Sequence, residues 1–96
     1  MGLFEVRYIE KAGSVVSMLE VVTSARRSVL ESVRALLFDL RVQIVRVESV
    51  VHETGLVERF HMAEFDGAAI SRRRAAAIRS TVRKSLRARH GAEAAA

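Results

Sequence analysis

The sequence predicts an α+β two-layer sandwich of order β-β-α-β-β-α, with a four-stranded, mostly antiparallel sheet and two helices on one of its faces. Three observations lead there. Leu3–Glu10 alternates, with Phe4, Val6 and Tyr8 on one side and Glu5 and Arg7 on the other, the period of a half-buried strand. Val29, Val33, Leu36, Leu37 and Leu40 recur at helical spacing and form an apolar stripe that needs a sheet to cover. Ala75, Ile78, Val82 and Leu86 repeat such a stripe near the C-terminus.

Each element follows in turn. After the first strand, Lys11-Ala12-Gly13-Ser14 is a short turn, and a Val-rich second strand runs from about Val15 to Thr23. Two strands this close pair most simply as an antiparallel hairpin. Ser28 and Glu31 have the S-x-x-E spacing of a capping box, so a helix is expected to begin after Ser28 and to stop near Leu40. Val42–Val51 is largely apolar, as a central strand covered on part of both faces would be. His52–Gly55 turns into a fourth strand, Leu56–Phe65, with Leu56, Phe60 and Met62 in phase on one face. Asp66-Gly67 turns the chain again, and Ser71 is placed to cap the last helix. Gly91 is expected to end that helix, giving one domain over residues 1–91 and a disordered tail over 92–96. A helical crossover between parallel strands of this sheet should be right-handed.

Composition narrows the function classes. Ninety-six residues make one domain with a modest core, and 50% hydrophobic content is enough to fold it. The absence of Cys excludes disulfides, a thiolate nucleophile and cysteine metal sites. No apolar run approaches the roughly 18 residues of a spanning helix. The N-terminus lacks a basic region followed by an apolar one, so no signal peptide is expected and a cytoplasmic home is the default. The lack of Pro and the many Ala and Arg fit a GC-rich bacterial gene.

Charge divides the chain unevenly. There are 16 Lys and Arg against 11 Asp and Glu, net +5. Eight of the basic residues and no acid fall between Ser71 and His90: Arg72, Arg73, Arg74, Arg79, Arg83, Lys84, Arg87 and Arg89. The remaining eight basic and eleven acidic residues leave −3 elsewhere.

Several segments together resemble an ACT domain, most closely the C-terminal ACT domain of bacterial PII uridylyltransferase/uridylyl-removing enzymes. They are Phe4-Glu5-Val6, Leu19–Val22, Leu36–Leu40, Val57–Phe60 with Met62, Asp66-Gly67, and the Ile78, Val82, Leu86 helix. The resemblance spans roughly residues 3–89 and implies a ferredoxin-like sheet whose fourth strand is supplied by the N-terminal hairpin. Amino-acid-binding members carry Asp-Arg-Pro-Gly-Leu at the turn before the first helix, where Gly admits the ligand and the helix N-terminus favours its carboxylate. This chain reads Ala25-Arg26-Arg27-Ser28-Val29 there, after Ser24, without the Asp, Pro or Gly. The resemblance thus implies an amino-acid pocket that is vestigial. Arg41 stands where the family often has Gly, at a place where a left-handed residue would be strained.

The remaining polar residues point away from catalysis. His52, His61 and His90 share no metal-ligand spacing, and neither Glu58 nor Glu64 pairs with a second carboxylate or a His in sequence. No nucleophile elbow or phosphate-cradling glycine loop is present. No cofactor is expected, and the chain is read as not an enzyme.

Arg26-Arg27 and Arg72-Arg73-Arg74 both open a predicted helix, where the positive end of the dipole makes each cation unfavourable by roughly a few tenths of a kcal/mol. Either Asp66, Glu64 or Glu31 neutralises them, or they await an anion or an acidic partner. Arg79, Arg83 and Arg87 add a stripe at i, i+4, i+8. Membrane-surface binding would need an exposed apolar face, and the apolar stripe of this helix is taken by the sheet. The expected function is a non-catalytic regulatory or interaction module acting through protein–protein contact with a partner of unknown identity, paired as a homodimer. Two alternatives stand beside it: an amino-acid sensor with a modified pocket from Ser24 to Val29, and a nucleic-acid binder using Arg72, Arg73, Arg74, Arg79, Arg83 and Arg87.

Overall fold

The hydrophobic periods become six elements in a computed structural model that describes residues 4–24, 27–53 and 55–95, with side chains for all of these except 27–30, 52 and 89–95. They are β1 (Phe4–Glu10), β2 (Ser17–Thr23), α1 (Arg27–Asp39), β3 (Val42–His52), β4 (Gly55–Glu64) and α2 (Arg72–Ala95). The strands form one antiparallel sheet of order β1-β2-β4-β3. This is an α+β fold of order β-β-α-β-β-α with a ferredoxin-like arrangement, both helices lying on one face. β2 and β3 both run antiparallel to β4 and therefore parallel to each other, so α1 carries the chain over β4 between them. None of the described helices is long and apolar enough to cross a membrane.

The register explains the core. Val6 lies opposite Val21, Leu19 opposite Phe60, and Ser17 opposite Met62, so these side chains share the face turned to the helices. Val33 and Leu37 of α1 and Ala75, Ile78, Val82 and Leu86 of α2 close over them, joined by Ile70 from the connection. Phe60, Leu19, Leu37 and Met62 are fully buried. Each such side chain stabilises the fold by roughly 1.5–3 kcal/mol relative to exposure. α2 packs on β1 and α1 on β3, and the helices touch each other.

The connections use the expected turn chemistry. Ser14 N donates to Lys11 O at 3.1 Å in the first hairpin. The Asp66 carboxylate accepts from Ala68 N at 2.9 Å, and Gly67 takes φ 84° in the same turn, where a side chain would be strained. Ser71 caps α2: its Oγ accepts from Arg74 N at 3.2 Å.

Three sequence expectations need correction. β3 is an edge strand, not a central one; Val45 and Val51 are 52% and 78% exposed, and the pairing slips between Ile44 and Arg46. A run of β-branched residues favours a strand wherever it sits, so apolar composition alone does not place it in the sheet. α1 begins at Arg27, which puts Ser28 inside its first turn instead of ahead of it; the proposed cap bond rests on a side chain outside those described. α2 continues through Gly91 to Ala95, because one helical Gly costs only about 1 kcal/mol and the flanking alanines have the highest helix propensity.

Two backbone positions are tightly constrained. A Cβ on Gly55 would meet Thr23 O at 2.3 Å, so β4 enters against the end of β2 where only Gly fits. Arg41 leaves α1 at φ 59°, the left-handed conformation that glycine usually supplies. Arg41→Gly is therefore expected to stabilise the protein by about 0.5–1 kcal/mol, the relief of steric strain exceeding the added freedom of the unfolded chain. Urea denaturation of the two proteins checks this; an unchanged or lowered midpoint would contradict it.

Candidate functional site

The arginines that cluster in sequence separate in space. Arg74 is structural. Its Nε lies 2.9 and 2.7 Å from the two Glu64 oxygens, and its Nη2 donates to Leu40 O at 2.6 Å and Arg41 O at 3.1 Å. One planar guanidinium thus ties the start of α2 to the end of β4 and to the carbonyls that follow α1. Glu64 was among the three acids expected to neutralise the cluster; for Arg74 it does. Arg79 Nε donates to Val6 O of edge strand β1 at 3.1 Å. Arg72 and Arg73 are exposed. Arg79, Arg83, Lys84 and Arg87, with Ala76 and Ser80, surround an open groove of about 310 Å³ that contains no acid.

The turn before α1 is only partly described. Ser24 is exposed; Ala25 and Arg26 lie outside the described residues, as do the side chains of Arg27, Ser28 and Val29. The expected pocket there has no described geometry of its own.

The acids of β4 each meet an arginine. Glu58 and Glu64 share the helix-covered face with Phe60 and Met62, as a regular strand requires. Glu58 is 3% exposed, and its Oε1 accepts from Arg34 Nη2 at 2.5 Å and Nε at 2.9 Å. The Glu58 carboxylate is thus taken up by one helix guanidinium. Glu31 and Ser49 complete a small cavity of about 190 Å³ with this pair. The meeting of Glu31 with Glu58 depends on how α1 lies on the sheet and was not visible in the sequence. Among the described residues no three His, Asp or Glu are grouped to hold a metal ion.

Among the described residues no helix covers the second face of the sheet, where side chains of the strands themselves leave Glu20 8% and Val57 6% exposed. Register places Arg7, Glu20, Arg59 and Glu48 in one row across β1, β2, β4 and β3. Glu20 receives Arg59 Nε at 2.9 Å and lies 3.7 Å from Arg7 Nη1. His61 Nε2 bonds Glu48 at 2.6 Å. That hydrogen bond, helped by the charges of Arg46, His61 and Arg59 and opposed by desolvation, holds the Glu48 carboxyl below its ordinary range. His61 is thus paired on the face opposite Phe60; its partner lies on another strand, at a register set by the slip in β3. On one side of this charged row lie Glu5, Val22, Val57 and Val50, and on the other Ile9, Met18, His61 and Arg46.

In comparisons with known proteins, the chain matches no family model, no curated protein and no solved structure.

Arg74→Ala would strip a charged partner from Glu64 and a donor from two carbonyls. It is expected to cost about 1–3 kcal/mol in urea denaturation. Arg74→Lys should recover only part, since one ammonium cannot reproduce the fork. Full recovery by Lys would show that charge alone, not geometry, matters there.

Proposed function

We propose that this chain is a non-catalytic ACT-like interaction module that pairs with a second copy through the face of its sheet opposite the helices. The N-terminal hairpin supplies an edge strand to a ferredoxin-like sheet, the arrangement that the resemblance implies. The arginine pairing of Glu58 and Glu64 supports a non-catalytic role.

The observation that carries the pairing is the row Arg7, Glu20, Arg59, Glu48, whose charges alternate +, −, +, − across the sheet. A two-fold axis parallel to the strands, passing between β2 and β4, reverses this order in the partner. Arg7 then faces Glu48 of the second copy, and Glu20 faces its Arg59. An axis perpendicular to the strands would instead set each charge against itself. The row is self-complementary for one isologous arrangement only, the aligned packing of two sheets. Val22, Val57, Val50, Ile9 and Met18 in the rows beside it supply apolar area, and the charges set orientation.

The edges are less suited to pairing. Arg79 takes the Val6 carbonyl on β1, and the slip at Val45 disturbs β3. Four strands about 4.8 Å apart and about seven residues long present a plane on the order of 450 Å². That is below the roughly 800 Å² per partner of a standard stable interface and in the range of weak, transient ones, so the dimer should be weak and concentration-dependent.

Sedimentation over about 1–300 µM should show a monomer–dimer equilibrium that high salt shifts. Arg59→Glu and Glu20→Arg should each be monomeric, because Glu20 then meets a carboxylate, or Arg59 a guanidinium. An equal mixture of the two variants should form a heterodimer, since every facing pair becomes opposite in sign again. A wild type that stays monomeric throughout, or variants that fail to pair when mixed while remaining folded by circular dichroism, would sink the proposal.

A second reading, that α2 binds a polyanion, is favoured by the acid-free groove of Arg79, Arg83, Lys84 and Arg87. It predicts salt-dependent binding of a labelled oligonucleotide, with Arg83→Ala lowering the salt slope by about 1. No change in anisotropy at about 50 mM salt would rule it out.

A further inference from the structure

Two buried hydroxyls on the helix-covered face have no hydrogen-bond partner: Tyr8 Oη and Ser17 Oγ. Ser17 is 7% exposed. Glu10 lies opposite Ser17 in the β1–β2 register, so Tyr8 and Ser17 are diagonal neighbours at the hairpin end of the sheet. An unsatisfied buried hydroxyl destabilises a fold, so two on residues that line open space ask for a partner.

The open space is there. One cavity of about 420 Å³ lies between Tyr8 and Glu10 of β1 and Arg72, Ala75, Ala76 and Arg79 of α2. A second, of about 400 Å³, reaches from the same Tyr8 and Glu10 to Ser17, under Ala69 and Ile70. Short side chains make the room: Ala69, Ala75 and Ala76 stand where larger residues would fill it. Arg72 and Arg79 are seven residues apart and so on one side of α2. Arg79 uses its Nε on Val6 O and also lines the cavity, and Arg72 is the first residue of the helix.

We infer that this hairpin cavity is a binding site for a small metabolite bearing an oxyanion, phosphate or carboxylate, on a hydroxyl-substituted skeleton. Arg72 and Arg79 hold the oxyanion through charge-assisted hydrogen bonds. Tyr8 Oη and Ser17 Oγ bond the skeleton at depth. Glu10 accepts from a ligand hydroxyl and disfavours a bare, highly charged ion. The volumes are those of small-molecule pockets. The site lies at the opposite end of β2 from the turn before α1, and it does not depend on the dimer proposed above.

Titration of the ¹⁵N-labelled full chain with glycerol 3-phosphate, malate and inorganic phosphate tests the site. Saturable shifts at Tyr8, Ser17, Arg72 and Ala76 are expected with one of the organic probes, at least tenfold tighter than with inorganic phosphate; which probe wins identifies the oxyanion. Tyr8→Phe, Ser17→Ala and Arg72→Ala should each weaken binding about tenfold, the effect of leaving a ligand group without its partner. Arg87→Ala, outside the cavity, should not. Equal affinity for inorganic phosphate, shifts spread along all the α2 arginines, or affinity unchanged in both hydroxyl variants would overturn the inference, as would no saturable shift with any probe up to about 10 mM.

Discussion

The fold depends on the guanidinium of Arg74. A cation in the first turn of a helix faces the positive end of that helix's dipole and is ordinarily unfavourable. Here the side chain turns back from α2 onto the Glu64 carboxylate and onto the carbonyls of Leu40 and Arg41, which follow the negative end of α1. The repulsion from one dipole is offset by attraction to another. The same bonds hold Arg41 in its left-handed conformation, which a flexible segment would not keep. They also fix where α2 starts over the sheet. Its buried stripe of Ala75, Ile78, Val82 and Leu86 then meets the apolar face, and Arg83 and Arg87 are left outside.

Charge is distributed by layer. On the covered face, where burial makes an unpaired carboxylate costly, Glu58 and Glu64 each have an arginine from a helix. On the opposite face the partners come from neighbouring strands, and Glu20 is shared between Arg7 and Arg59. The segment from Ser71 to His90, which holds no acid of its own, is therefore not free of acids in space, since Arg74 has one. Farther along, Arg83, Lys84 and Arg87 meet none among the described side chains, and there the segment's charge remains open to solvent or to a partner.

How much was legible follows from the range of each interaction. Period-two alternation at Phe4, Val6 and Tyr8, the Asp66-Gly67 turn, the Ser71 cap and the α2 stripe are local, and sequence spacing specifies them. The pairs Arg34–Glu58, Arg59–Glu20 and His61–Glu48 join residues 24, 39 and 13 positions apart. They exist only because of strand order and register, and the slip at Val45 shifts that register by one. The edge position of β3 was hidden for a related reason: Val42–Val51 is apolar enough for the interior, yet topology puts it outside. The hairpin cavity was also unreadable, because Tyr8 and Ser17 look like an ordinary core aromatic and an ordinary strand end until α2 is seen to present Ala75 and Ala76 between Arg72 and Arg79 beside Tyr8.

The second face of the sheet and the basic helix are on opposite sides of the sandwich, which bears on how the two could work together. Two copies joined sheet to sheet would bury the alternating row at the centre and turn both α2 helices outward. Each dimer would then show two separated basic faces, and an extended polyanion or a pair of acidic surfaces could engage both. Linking two weak sites in this way raises avidity without any new contact, provided the geometry allows simultaneous engagement. Pairing through the helices would have the reverse effect, setting the acid-free stripes of two copies against each other with no countercharge between them. The charge pattern therefore disfavours a helix-to-helix dimer for the same reason that it favours a sheet-to-sheet one. Self-association and partner binding need not compete for a surface in this molecule, because the sequence concentrates its unpaired cations on the layer that the sheet does not use.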